Sequence, residues 1–346
     1  MPCAPLRPSS GAIRIILQPR SFLKAAAVIA LVSGTLAGGA NSLCAEDRPS
    51  PELVGRPKVT GGIVVTEEFN DNVLAERTNK LSDAITVVSP AFNIEIANES
   101  TRWNVGGVAA LGNYATYSEQ NYRDYRLYTD VARKVQRKIL FTGGASYARE
   151  HEDASSIEDT DRRDPTVFHA ARAYAASQFR QDRSKFQIGA TFDDFDFLEL
   201  RDRDRDRFVF TAGVRYGYAL DTRTSVFVDA KYDTRHYDQS IDYEGFRRSS
   251  DGTRLTAGIE HSLSSAFRAQ LYGGWLYQRF DDSRFSTVSD ADFGGEFRWT
   301  PVPGLTVKGV VGRALYDTTL YGSSSYLQTS SSMYLYKWIR PDLRLN

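Results

Sequence analysis

The chain has 346 residues, 41% of them hydrophobic and 12% aromatic, a mean hydropathy of −0.40, and 43 cationic against 43 anionic side chains. That hydropathy is too low for a membrane protein built of helices, and after Ala40 no apolar run approaches the ~20 residues a spanning helix needs. Arg7, Arg14, Arg20 and Lys24 precede the first acid, Glu46, so loss of a leader leaves a mildly acidic body with no basic stripe for nucleic acid.

The N-terminus reads as a secretory signal peptide. Arg14, Arg20 and Lys24 stand before AAAVIALVSGTLAGGA (Ala25 to Ala40), and small residues follow. Cleavage is expected after Ala40 or Ala45. The sequence therefore divides into a leader over 1–45, a short periplasmic segment over 46–57 and a single body over 58–346. Cys3 lies in the leader and Cys44 at its end, so the body has no cysteine pair and must close its fold without disulfides.

From 58 onward the polarity alternates with a period of two, the signature of strands with two unlike faces. Strands are predicted over 58–68, 84–97, 102–117, 124–134, 139–150, 166–179, 185–194, 207–219, 225–236, 253–263, 266–279, 290–300, 305–316 and 326–338. In FVFTAGVRYGYALDTRTSVFVDAKY (Phe208 to Tyr232), Phe208, Phe210, Val214 and Tyr216 fall on one face and Arg215 on the other. The connections alternate as well. Short ones (NEST from Asn98, KVQRK from Lys134, QDRS from Gln181, DTRT from Asp221, Ser264-Ser265, PVPG from Pro301) are separated by long ones from His151, Asp193, Tyr237 and Asp281. Short turns at one end and long loops at the other are how an outer-membrane barrel is strung. The expected fold is all-β: a transmembrane antiparallel up-and-down β-barrel of about 14 strands. The end of the chain leaves two readings open. Either Tyr334–Trp338 closes the barrel, or Leu343–Asn346 begins a fifteenth strand of a sixteen-strand barrel.

With the short turns set on the periplasmic side, the aromatics fall in two bands. Trp103, Phe267, Trp299 and Trp338 mark the lower rim, and Tyr147, Phe192, Tyr232 and Tyr277 the upper. Two bands of amphipathic rings fit a lipid-facing wall and not a sandwich core. The opposite parity carries Arg126, Asp130, Lys185, Gln187, Arg215, Asp229, Lys231, Arg254, Glu260, Arg268, Gln270, Glu296, Arg298 and Lys308, expected to face the lumen. Whether they line a water-filled passage or plug it with ion pairs stays open. A three-residue turn at Asp221–Arg223 sets Arg215 opposite Asp229, and the mixed signs predict weak ion selectivity.

Catalytic signals are thin. There is no HExxH and no GxSxG, and His151 with Asp153, or His236 with Asp238, are the pairs a rim-located hydrolase would need. ELRDRDRDR (Glu199 to Arg207) lacks calcium-loop spacing and reads as a solvated loop, and the acidic run Glu150–Asp161 is the one candidate for divalent ions. No enzyme and no cofactor are expected.

The stretch VTEEFNDNVLAE (Val65 to Glu76), with its Asp71-Asn72-Val73 step, followed by a strand holding SPAFNIEI, resembles a family of proteobacterial outer-membrane proteins described as putative β-barrel porins of the second type. The resemblance implies residence in the outer membrane of a Gram-negative bacterium. It implies contact with outer-membrane lipid and lipopolysaccharide, insertion by the barrel-assembly machinery, and, from relatives tied to surface-polysaccharide systems, a surface polysaccharide as partner. The function that follows is a porin-like channel for small polar solutes or saccharides. The alternatives are a non-conducting binding barrel and an outer-membrane hydrolase.

Overall fold

The computed structural model describes residues 56–346 apart from 75, 77, 137, 153–163, 341–342 and 346; the leader and most of the predicted periplasmic segment lie outside it. One antiparallel sheet contains every strand, each hydrogen-bonded to its sequence neighbours. The strands are β1 Lys58–Asn70, β2 Asp83–Ala97, β3 Thr101–Tyr114, β4 Tyr122–Val135, β5 Ile139–His151, β6 Val167–Gln181, β7 Ser184–Phe197 and β8 Arg207–Ala219. The meander continues with β9 Thr224–Tyr237, β10 Ser250–Ser264, β11 Phe267–Phe280, β12 Val288–Val302, β13 Leu305–Asp317, β14 Ser325–Arg340 and a short β15, Leu343–Leu345. All of the expected strands are present. β3 stops at Tyr114, short of the predicted 117, but most long-loop ends run further than the pattern implied, β7 reaching Phe197. There Phe195 and Phe197 receive the guanidinium groups of Arg207 and Arg205 at 4.7 and 4.2 Å. Leu343–Leu345 pairs with the end of β14, so the last residues do add strand to the sheet.

The short turns are fixed by their own side chains. Asn98 Oδ1 accepts the Ser100 and Thr101 N–H groups, and Asp221 Oδ1 those of Arg223 and Thr224. These are the local bonds that make Asn and Asp turn residues. Gly304 closes the β12–β13 turn at φ 82°, a conformation that suits glycine.

Burial is inverted relative to a water-soluble domain. Asp229, Thr256, Gln278 and Asp292 are buried, whereas Trp103, Leu255, Leu271, Trp275 and Trp299 are exposed. The polar face is the concave one. Asp317 at the top of β13 receives Arg235 Nη1 of β9 at 2.6 Å and has Arg207 Nε of β8 at 3.6 Å. Five strand spacings on a flat sheet are about 24 Å, beyond the joint reach of two side chains, so the sheet curls around this face. Glycine permits a close strand approach on this face: a Cβ on Gly274 would run into the Leu255 carbonyl and the Thr256 backbone.

Two edges depart from the regular ladder. Among the described residues β1 is paired with β2 alone, and β14 with β13 and β15. Between β12 and β13 the ladder runs only from Val302/Leu305 up to Gly294/Gly312, leaving the upper part of both strands without mutual pairing.

A charge on the convex face tests which solvent that face meets. Leu271 is 60% exposed and sits between the two aromatic levels of β11. Leu271→Arg is expected to cost about 2–4 kcal/mol of folding free energy in bilayers, and Leu271→Ala far less, measured by denaturant titration in vesicles. Equal tolerance of Arg would place the face in water.

Candidate functional site

Every predicted lumen residue falls on the concave face, because the registers carry one parity unbroken from β4 to β13. The centre of the wall is a belt of paired charges. Arg215 stands opposite Asp229, as the turn at Asp221 requires, and donates to Asp229 Oδ2 through Nε at 3.0 Å and Nη2 at 2.6 Å. The Arg215 guanidinium also lies 4.4 Å from the Phe227 ring centroid. Lys231 is opposite Arg254 in the register, and Arg254 Nε lies 3.1 Å from Asp292 Oδ2. Like-charged Lys231 and Arg254 are tolerable side by side because Asp229 and Asp292 flank them. Opposite-sign cross-strand pairs contribute roughly 0.2–1 kcal/mol each, so the belt's main consequence is a nearly neutral wall.

Below the belt Arg268 pairs with Glu260, and Lys308 Nζ lies 3.9 Å from Glu296. Gln270 is in register with both Glu260 and Glu296, and Arg298 stands opposite Arg268 and Lys308. In the N-terminal half the contacts are more local. Arg126 pairs with Glu150, Tyr174 donates to Asp130 at 2.7 Å, and Gln187 donates to Gln178 at 3.2 Å, with Lys185 one step below Gln187.

The aromatics take the opposite parity. Trp103, Tyr147, Phe192, Tyr232, Tyr277 and Trp299 are exposed on the convex face, while Phe267 is half-buried against Phe297 at 6.1 Å. Trp103 Nε1 donates to Thr129 Oγ1 at 2.7 Å, which satisfies its polar end. The Trp338 side chain lies outside the described residues.

Sequence parity did not single out the groups that cross the concave space. Arg207, Arg235 and Asp317 meet there from β8, β9 and β13. Parity places Arg235 correctly, but only curvature brings Asp317 to it. A further cluster missed in the sequence is the outer cap. Arg248, buried, donates to Asp242 Oδ2 at 2.6 Å and to the backbone carbonyls of Thr318, Thr319 and Ser323. Asp242 Oδ1 in turn accepts the Glu244 and Phe246 N–H groups at 3.0 and 2.7 Å. Phe246 stacks on Phe285 at 4.9 Å and meets Tyr321 edge-on at 5.7 Å. Tyr243 reaches the other way and donates to the Leu200 carbonyl at 2.7 Å. Loop 238–249 is thereby bound both to the short 3-10 helix Leu200–Arg205 after β7 and to loop 318–324 after β13. Glu199–Arg207 is therefore structured: Arg205 pairs with Glu152, and burial pushes the Asp204 carboxyl up. Asp282 is held well below the usual carboxylate range by Arg284 and by the Arg247 and Arg284 N–H groups.

The hydrolase pairs fare differently. Asp153 lies outside the described residues, and His151 instead meets Asp124 at 2.8 Å and stacks on Tyr122. His236 stands opposite Phe208 on the convex parity, with ring centroids 5.2 Å apart. Among the described residues no cluster of three or more metal-ligating side chains occurs, and most of the acidic run Glu150–Asp161 lies outside them.

The family described as "Putative beta-barrel porin 2" matches residues 53–346. No curated protein matches. Solved structures similar to the chain include a FadL homologue of Pseudomonas aeruginosa, at 10% identity and TM-score 0.35, covering 80% of this chain and 85% of that one. A mutant ferric enterobactin receptor from Pseudomonas aeruginosa is 8% identical at TM-score 0.42, over 82% and 51% of the two chains. A mutant Rh. blastica porin is 9% identical at TM-score 0.30, over 81% and 100%.

The cap has a direct test. Arg248→Ala leaves the buried Asp242 without its cation, and breaking a buried pair from one side typically costs about 3–5 kcal/mol. Protease cleavage within 238–249 and 318–324 is expected to rise at least tenfold while the barrel keeps its heat-modifiable gel migration.

Proposed function

The chain belongs to the putative beta-barrel porin 2 family, and from that premise we propose that it is a passive channel for small polar solutes or saccharides in the outer membrane of a Gram-negative bacterium. The observation that carries this reading is the inverted wall, with charged pairs on the concave face and Leu, Phe, Tyr and Trp exposed on the convex one. A sheet in hydrocarbon must pair its backbone internally and turn its apolar side chains outward. A solute in the lumen then meets Arg, Lys, Asp and Glu in alternation. Neither sign forms an unbroken ring, so discrimination between anions and cations is weak. The mechanism is diffusion with no chemical step. His151 and His236 are bystanders in this reading, each engaged by an aromatic ring.

The outer loops favour a second reading. Tyr243 and Tyr321 are exposed on a folded cap beside Asp and Arg side chains. Rigid aromatic faces next to hydrogen-bonding groups suit a surface polysaccharide, and in this version the cap binds glycan while the barrel is the anchor.

Planar-bilayer recording separates the two. The channel reading expects unitary steps with a reversal potential near zero in a KCl gradient, and larger or longer steps for Arg248→Ala, whose cap is loosened. Silence from both proteins at all voltages would reject an open pore and leave the anchored glycan binder.

A further inference from the structure

The unpaired stretch between β12 and β13 lies inside the membrane thickness. On β12, Trp299 belongs to the lower aromatic band, and Ser289 is in register with Tyr277 of the upper band. The ladder stops at Gly294/Gly312, halfway between them. Backbone groups left open in hydrocarbon have no water to pair with, so something must occupy these. In a strand the N–H and C=O of one residue point to the same neighbour. Ala291 offers both groups here, and both are taken by side chains. Its N–H donates to Asp290 Oδ1 at 2.7 Å, and its carbonyl accepts from Arg313 Nη1 at 3.3 Å. Arg313 and Asp290 also hold each other, Nη1 to Oδ1 and Nη2 to Oδ2, both at 3.0 Å. One ion pair thus stands where β12 and β13 would otherwise exchange backbone bonds.

The surroundings of this clasp differ on its two sides. Outside, Phe293 is exposed on the convex face, with the Arg313 guanidinium 6.0 Å from its ring centroid. Inside, Asp292 is 1% exposed on the concave face. Neither of its carboxylate oxygens accepts an aligned hydrogen bond, although Arg254 lies beside it. The gap therefore joins an apolar exterior to an under-satisfied polar interior. Above it the concave space is crossed by Arg207 and Arg235 to Asp317, and the Arg248 cap lies beyond.

We propose that the β12–β13 seam above Gly294 and Gly312 is a lateral portal between the lumen and the outer half of the membrane, latched by the Asp290–Arg313 pair. Its ligand is an amphiphile whose apolar chain enters the hydrocarbon while its polar head meets the charged belt. A backbone ladder opens only by exposing a whole row of peptide groups, whereas this latch opens by rotation of two side chains and frees only the N–H and C=O of Ala291. The inference rests on the membrane-barrel reading above and does not require ion conduction.

The test uses single cysteines in the full-length protein with Cys3→Ser and Cys44→Ser, reconstituted in vesicles. Asp292→Cys probes the portal. Thr256→Cys is the control, because Thr256 shares the concave face and the level of Asp292 through Gly274 but has complete ladders on both sides. A maleimide carried on a phospholipid acyl chain is expected to label Asp292→Cys at least tenfold faster than Thr256→Cys, and faster again when Arg313→Ala is added. Equal rates at the two positions would overturn the portal. Should Asp292→Cys lose its heat-modifiable migration, Ala314→Cys, buried on the β13 side of the seam, takes its place under the same criterion. A charged, water-soluble maleimide reports separately on the channel. Its failure at both positions would count against an open lumen without altering the comparison that decides the portal.

Discussion

The structure depends on one constraint: a peptide group inside hydrocarbon must find its hydrogen-bond partner within the protein. That requirement gives fourteen long strands a neighbour-to-neighbour order, because a meander pairs each strand as soon as the next turn is made. It also explains the two-beat connections. Turns at one end need only reverse the chain, and Asn98, Asp221 and Ser264 do this with their own side-chain bonds. Loops at the other end stand beyond the apolar wall, where length is free to vary. Side-chain chemistry then follows from the pleat: alternate residues meet lipid tails or the enclosed polar space.

Period-two patterning made most of this legible in the sequence. Residues such as Arg215 and Asp229 could be assigned to one face, and to opposite positions, from the turn and the parity alone. What stayed hidden depends on three dimensions. Arg207, Arg235 and Asp317 come from strands up to five places apart, and only the sheet's curvature makes them neighbours. Arg248 sits in a loop with no periodicity, and its value lies in backbone carbonyls contributed by a loop some seventy residues further on. Glu199–Arg207, which reads as a solvated charge run, folds because Arg205 and Asp204 find partners in other loops. The end of the β12–β13 ladder is also silent, since Gly294 and Gly312 look like any other strand glycines until the pairing above them fails.

The wall and the cap are held by different kinds of bond. In the wall, a displaced strand forfeits a whole row of backbone hydrogen bonds at once. In the cap, Arg248 and Asp242 concentrate the attachment in a few charge-assisted bonds, with Phe246, Phe285 and Tyr321 packed around them. Such an assembly is rigid while complete and loosens as a unit when one member leaves, as expected of a segment whose opening free energy is well below that of the whole fold. The mouth is thus more easily altered than the cylinder beneath it.

The same distinction appears once inside the cylinder. From β3 to β12 neighbouring strands hold each other by backbone, but above Gly294 the task passes to Asp290 and Arg313. A charged pair that stays partly exposed is a weak substitute for backbone bonds, because water competes with its attraction. A continuous ladder would satisfy Ala291 without any charge. The pair is therefore poorly explained as a device for stability alone. It has a clearer physical rationale if the seam must part and rejoin, because two long side chains can swing aside and return while the strands around them keep their register.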